Sequence, residues 1–180
     1  MIPPAVVRAL TNPALIADTL TPTKWSSAED KAKFGSALLK FIAADFPKTA
    51  FKKPLYNRLS NTFGHIAHYD LNGFYTEFFE DTAGKIEFLQ QTLQWPCWGD
   101  PAYTYCDVER LIQARLRKSG ILAIKQAELA AESRRHELTA LERLKDKYEP
   151  TPALSLAPPA PPMPPAQLLR QTDLFDVCTR

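Results

Sequence analysis

The placement of proline constrains the fold of this 180-residue chain more than any other feature. Eight of the 16 prolines fall between Pro150 and Pro165, whereas none falls within residues 107–148. Proline lacks a backbone N–H and fixes φ, so the run 149–166 cannot form a helix or a central strand. We expect this run to be a flexible linker of polyproline-II character, and to mark the end of the folded part of the chain.

The linker divides the chain into three parts. Residues 1–148 hold nearly all the aromatic and aliphatic side chains, at an ordinary overall hydrophobic content of 45%, and we expect them to form one globular domain. Residues 149–166 form the linker. Residues 167–180 regain Leu and Phe after it, and we interpret them as a C-terminal peptide that binds a partner, with packing back onto the domain as the alternative.

Apolar side chains recur at spacings of three and four in several segments of residues 1–148, which is typical of amphipathic helices. The best-bounded helix has an N-cap and early acids at Ser26–Asp30 and ends before Pro47. A second helix opens at Pro54 and is expected to continue to about Asp70. Asn72-Gly73 then predicts a turn.

Further helices follow the same rules. One is stopped by Pro96, and the next begins near Asp107 and is ended or kinked at Gly120. Residues 121–148 are rich in strong helix formers, and we expect a long helix packed along the domain rather than a free coiled coil, because charged residues interrupt its heptad pattern. No segment alternates as a strand would, so the sequence predicts an all-α fold with a long C-terminal helix.

Charge and cysteine content restrict the class of protein. Lys and Arg number 22 and Asp and Glu number 20, a net charge of +2 that argues against a strongly cationic nucleic-acid coat. Three cysteines do not make a disulfide framework, which favours a cytoplasmic location. The sequence offers neither a secretory signal pattern nor an apolar run of about 20 residues, so we expect no membrane partner.

Local basic clusters are nevertheless candidates for contact with nucleic acid, with an ordinary solvated helix face as the commoner alternative. The candidates are Lys52, Lys53, Arg58, Arg110, Arg115, Arg117 and Lys118. Aromatic side chains could stack bases beside the first cluster. Burial in the core is the commoner role of such rings, which include Tyr69, Phe74, Tyr75, Phe78, Phe79, Trp95, Trp98, Tyr103 and Tyr105.

A second candidate is the polar group His65, His68, Tyr69 and Asp70. On a helix, the two histidines at i and i+3 would share a face, and with a carboxylate they could hold a transition metal. The zinc-protease pattern needs histidines at i and i+4 with a glutamate between them, which is absent. We therefore expect no bound metal. Because phosphate-cradling and dinucleotide-binding glycine motifs are also missing, we expect no cofactor.

The C-terminal peptide contains the sequence Gln171-Thr172-Asp173-Leu174-Phe175. It resembles the pentapeptide with which bacterial proteins bind the β sliding clamp, Q-x-x-L-F. Gln171, Leu174 and Phe175 match directly, and Asp173 is familiar at its position. Thr172 departs from the Leu more often found second, which implies somewhat weaker binding. The resemblance implies that the β sliding clamp is a partner and that the linker acts as a tether.

These observations predict an accessory protein of bacterial, plasmid or phage DNA replication or maintenance, tethered to the β sliding clamp, with DNA or another replication protein as further partners. No catalytic motif stands out, so a non-enzymatic role is favoured. Two alternatives stay open. One is a metal-dependent nucleic-acid hydrolase using His65, His68 and Asp70, and the other is an inhibitor or structural component of a protein–nucleic-acid assembly.

Overall fold

The computed structural model describes residues 2–64 and 70–149, which contain α-helices and no β-strand, so the all-α prediction is confirmed. The helices are α1 (Pro4–Thr11), α2 (Ala28–Ala43), α3 (Lys53–Phe63), α4 (Leu71–Phe79), α5 (Thr82–Gln94), α6 (Cys106–Ser119) and α7 (Ile121–Tyr148). Short 3-10 turns occupy Ala17–Thr19 and Lys48–Ala50. Apart from Glu149, the linker and the C-terminal peptide lie outside the described residues, and the expectations about them stay predictions.

The chain divides into two compact units, Met1–Leu138 and Thr139–Arg180, with the boundary inside α7. In the first unit α2 is central and contacts α1, α3 and α6, while α5 contacts α4 and α6. In the second unit the described residues complete α7, and their large apolar side chains, Leu141, Leu144 and Tyr148, are exposed.

Helix α2 begins as its sequence predicts. The Ser27 side chain accepts the Asp30 N–H and the Asp30 carboxylate accepts the Ser27 N–H, which completes a capping box. The apolar face behind this cap is buried, including Phe34, Leu38 and Ile42. Burial of such side chains stabilises the helix by roughly 1.5–3 kcal/mol each.

The turn that follows α2 contributes an aromatic side chain to the core. Phe46 has a positive φ of 58°, which is unfavourable for a bulky residue, yet it is buried against Phe41, Phe79 and Phe88. The ring contacts offset the conformational cost of the turn. The predicted core role of Phe74, Phe78 and Phe79 is confirmed.

The structure corrects two predictions between α3 and α4. Helix α3 ends at Phe63 instead of near Asp70, because Gly64 adopts a left-handed φ of 59° and a Cβ there would lie 2.4 Å from the Trp95 ring. Asn72-Gly73 is not a separate turn but part of the first turn of α4. Asp70 caps that helix by accepting the Gly73 N–H at 2.7 Å, and this replaces the local bonds of a turn.

Gly120 separates α6 from α7 with a left-handed φ of 67°, so it ends the helix instead of only kinking it. The prediction that α7 packs along the domain holds for its first turns and is wrong for residues 133–138. Ile121 and Lys125 are buried in its first turns, but every position from 133 to 138 is exposed. Polar and charged residues dominate the later turns, so little apolar surface is available to pack.

Candidate functional site

A cleft of about 400 Å³ opens on the first unit, where the segment before α2, helix α3 and the loop between α5 and α6 meet. Its lining residues are Thr23, Trp25, Ser26, Arg58, Asn61, Thr62, Trp95, Trp98, Tyr103, Thr104, Tyr105 and Glu109. We call it the aromatic cleft. Its volume lies within the range of pockets that bind small molecules.

Three large rings at the aromatic cleft are open to solvent, in contrast to the buried phenylalanines of the core. Trp25 is 73% exposed, Trp98 is 76% exposed and Tyr103 is 68% exposed. An exposed ring is not unusual alone, whereas several around one recess are typical of a binding surface. The aromatic cleft therefore offers exposed ring surface on which a flat ligand can stack.

Arg58 forms part of the polar wall of the aromatic cleft. Its Nη1 donates to the Ser26 hydroxyl at 3.1 Å and also hydrogen bonds the Tyr105 hydroxyl. The Tyr105 hydroxyl in turn donates to the Ser26 hydroxyl at 2.7 Å. This triangle of hydrogen bonds joins α3 to the segment before α2 and to the loop between α5 and α6. A guanidinium has five N–H donors, and both of these bonds use the same nitrogen, Nη1.

A buried lysine fixes the loop that supplies Tyr103 and Tyr105. Lys31 is fully buried on α2, and its ammonium donates to the carbonyls of Pro101 and Thr104, each at 2.8 Å. It also pairs with the Asp107 carboxylate at 3.1 Å. A buried ammonium is tolerated when its donors are all satisfied in this way. These bonds hold the loop to α2.

The floor of the aromatic cleft contains a buried acid, Glu109 of α6, which is only 6% exposed. Burial raises the pKa of Glu109 to about 7, although hydrogen bonds from the side chains of Cys97 and Trp95 partly oppose the rise. Burial and the neighbouring Glu109 raise the pKa of the Cys97 thiol to about 11. At neutral pH the carboxyl group is therefore partly protonated and can donate or accept, while Cys97 stays a thiol.

Two further polar residues lie at or near the aromatic cleft: Thr62 lines it, and Gln113 bonds the backbone of its lining residue Trp95. The Gln113 amide donates to the carbonyls of Thr92 and Trp95 at 3.0 and 2.8 Å, which fixes the backbone that leads into the Trp-rich loop. Thr62 is buried, and its hydroxyl has no hydrogen-bond partner within the described ranges 2–64 and 70–149.

The structure separates the seven predicted nucleic-acid contacts. Arg58 lies in the aromatic cleft, and Lys52 and Lys53 lie exposed at the start of the same helix. Three arginines of α6 donate to backbone carbonyls: Arg110 to Cys97 at 3.0 Å, Arg115 to Pro13 at 2.7 Å and Arg117 to Leu93 at 2.9 Å.

These arginine bonds explain why the α6 cations do not form one strip. Arg115 points toward the end of α1, whereas Arg110 and Arg117 point toward α5 and the loop after it. Their role as phosphate contacts stays a prediction, as does that of Lys118, which is exposed.

The predicted polar site is only partly described. His65, His68 and Tyr69 lie outside the described residues. Asp70 is described, and its carboxylate caps α4. Within residues 2–64 and 70–149 no group of three or more His, Cys, Asp or Glu side chains is arranged to hold a metal ion.

Sequence reasoning placed some of the aromatic cleft but not all of it. Trp95, Trp98, Tyr103 and Tyr105 all line it. The sequence favoured burial in the core for these rings, with base stacking as the alternative, and the core role is wrong for Trp98 and Tyr103, which are exposed. Trp25 and Glu109 were missed. A lone Trp before an N-cap gives no periodic signal, and Glu109 resembles an ordinary first-turn acid in a helix.

Comparison with known proteins gives no match, because no family model, no curated protein sequence and no solved structure is significantly similar to this chain. In the part of the chain that the structure describes, no helix combines the length and apolar character needed to cross a bilayer.

Proposed function

We propose that this protein is an accessory factor of bacterial, plasmid or phage DNA replication or maintenance, held at replicating DNA by its C-terminal peptide on the β sliding clamp. The observation that carries the proposal is the motif Gln171-Thr172-Asp173-Leu174-Phe175. The cytoplasm of a bacterial host, where a replication clamp acts, is the location that follows.

The chemistry of the peptide suits a small apolar pocket. Leu174 and Phe175 are adjacent, so in an extended peptide their side chains diverge into different parts of a pocket. The Gln171 amide can both donate and accept at the rim. A few anchors of this kind can supply most of the binding energy of an interface.

The position of the motif also supports the proposal. It follows the Pro-rich run 149–166, in which prolines favour an extended backbone. Such a spacer would let the helical part of the chain act at a distance from the clamp, and it would keep the two binding events independent. The activity would reside in the helical part, where the aromatic cleft is the strongest candidate site.

Binding of the full chain to a bacterial β clamp tests the proposal directly. We expect micromolar affinity, about −8 kcal/mol, because a short peptide buries little surface. Each apolar anchor should contribute about 2 kcal/mol. Replacing both Leu174 and Phe175 by Ala should therefore weaken binding at least about a hundredfold, measured by calorimetry.

Two controls make the clamp experiment decisive. Thr172→Leu should bind slightly more tightly, because it restores the usual apolar second position. The double Ala variant should keep the circular dichroism and unfolding midpoint of the wild type. Absence of clamp binding, or an unchanged affinity of the double variant, would show that the motif is a chance match.

A further inference from the structure

We propose that the aromatic cleft binds one unpaired nucleobase, stacked between the exposed rings of Trp25 and Trp98 and contacted at its edge by Asn61. This inference rests on the cleft alone and is independent of clamp binding. The ligand is a flat heteroaromatic ring with donors and acceptors on its edge. A single strand and a free nucleotide both present such a ring.

The first step is the distribution of exposed rings. Of the five large apolar side chains that the structure shows exposed in the first unit, three surround the aromatic cleft, and the other two are Ile16 and Leu138. Trp25, Trp98 and Tyr103 therefore form a local cluster rather than a scatter. Stacking on such rings is open to every base, because every base has a π-face.

The second step is the polarity of the residues that line the aromatic cleft. Asn61 contributes an amide, and Glu109 contributes a buried carboxyl group. Together they offer both donors and acceptors, which is what the edge of a base requires. A proline-rich peptide also docks on exposed aromatic rings, but it presents carbonyl acceptors and lacks the proline N–H. Because the lining offers both donors and acceptors, it favours a base.

The third step is charge. Arg58 lies in the wall of the aromatic cleft, and the Lys24 ammonium lies 5.9 Å from the centre of the Trp25 ring. Two cations beside a stacking surface suit the phosphate of a nucleotide. A base within a duplex is stacked on both faces and cannot enter a recess, so the aromatic cleft selects an unpaired base.

The test is the binding of the full chain to a fluorescein-labelled dT oligonucleotide of about 12 residues, followed by anisotropy at low salt. Stacking on a ring lost to Ala corresponds to roughly five- to a hundredfold in affinity. We expect Trp25→Ala and Trp98→Ala each to weaken binding about tenfold. The matched control is Tyr148→Ala, a similarly exposed ring at 67% outside the aromatic cleft, which should leave affinity unchanged.

Two further binding measurements identify whether the base comes from a single strand or from a free nucleotide. A duplex of the same length should bind at least about tenfold more weakly than the single strand. Competition by thymidine monophosphate near the oligonucleotide's own dissociation constant would identify a free nucleotide as the ligand, and failure to compete would identify the strand. Because Trp25 and Trp98 are largely exposed, unchanged unfolding midpoints should show that their variants fold.

Several results would overturn the proposal. They are equal binding of duplex and single strand, equal loss in the Tyr148 control, no binding of either oligonucleotide or nucleotide, and binding of a 150–166 peptide through Trp25 and Trp98 in place of DNA. The chain with Leu174 and Phe175 both changed to Ala should keep its oligonucleotide affinity while losing the clamp. Failure of one proposal is thus distinguishable from failure of the other.

Discussion

At the scale of single residues, Glu109 connects the aromatic cleft to the pH dependence of folding. Its pKa is about 7 in the folded chain and near its ordinary value of 4.5 when unfolded. The folded state thus holds the proton more tightly, and this contribution is fully present below about pH 4.5 and is lost as pH rises toward 7. Asp107 raises the pKa further, and Arg110 lowers it.

We therefore predict that Glu109→Gln removes this pH dependence. From about pH 5 to pH 8 the free energy of unfolding of the wild type should fall by roughly 2–3 kcal/mol relative to that of the variant, since each pKa unit corresponds to about 1.36 kcal/mol. Urea unfolding of both proteins at the two pH values measures the difference. A difference that does not vary with pH would contradict the prediction.

Lys31 illustrates a different effect at the residue scale. Lys31→Met keeps an unbranched side chain but leaves the Asp107 carboxylate and two carbonyls without their buried donor. We predict a loss of about 3–5 kcal/mol in the free energy of unfolding. Asp107→Asn combined with Lys31→Met should cost less than the two single changes added together, as measured in a denaturant double-mutant cycle. Strict additivity would show that the pair is not coupled.

At the scale of elements, Gly120 isolates the effect of backbone conformation from that of packing. A Cβ at this position would have no atom within 4 Å, so Gly120→Ala meets open space and only the left-handed φ opposes it. We predict a loss of about 1–2 kcal/mol in the free energy of unfolding. Gly120→Asn, which tolerates that conformation better, should lose less. Equal stability of the Ala variant and the wild type would contradict this account.

The helices also show which local signals in the sequence were sufficient to predict where a helix begins and ends. The Ser27 cap and the apolar spacing of α2 agree with each other, and that helix was predicted with its boundaries. The end of helix α3 was placed too late, because Gly64 takes a left-handed φ that ends the helix, and the Trp95 ring that leaves no room for a Cβ there is distant in sequence. Helix α1 was not predicted, although Pro4 in its first turn is a typical start signal.

At the scale of the whole molecule, the fold class was predictable, whereas the assembly of the aromatic cleft from its separate segments was not. Amphipathic periodicity is local, so it reveals helices. The cleft instead combines the segment around Trp25, the helix that carries Arg58, and the loop that carries Trp98. Only tertiary packing brings these together, and no pattern along the chain records the burial that perturbs Glu109.

A further prediction for the whole molecule concerns removal of the residues after Glu149. A chain ending at Glu149 should lose clamp binding entirely and keep the urea midpoint of the full chain, because the buried side chains that the structure shows all lie before position 126. Denaturation followed by circular dichroism, together with a clamp pull-down, measures both. A lower midpoint for the shortened chain would indicate that its C-terminal residues pack on the helical part.

The aromatic cleft has one spectroscopic consequence. The chain contains three tryptophans, and Trp25, Trp95 and Trp98 all line this single recess. Indole emission excited at the red edge of its absorption therefore comes from one place, while the phenylalanine-rich core remains silent. The protein carries an intrinsic optical reporter of the recess, so a stacked ligand should quench it, and the loosening of its walls should register separately from the melting of the helices.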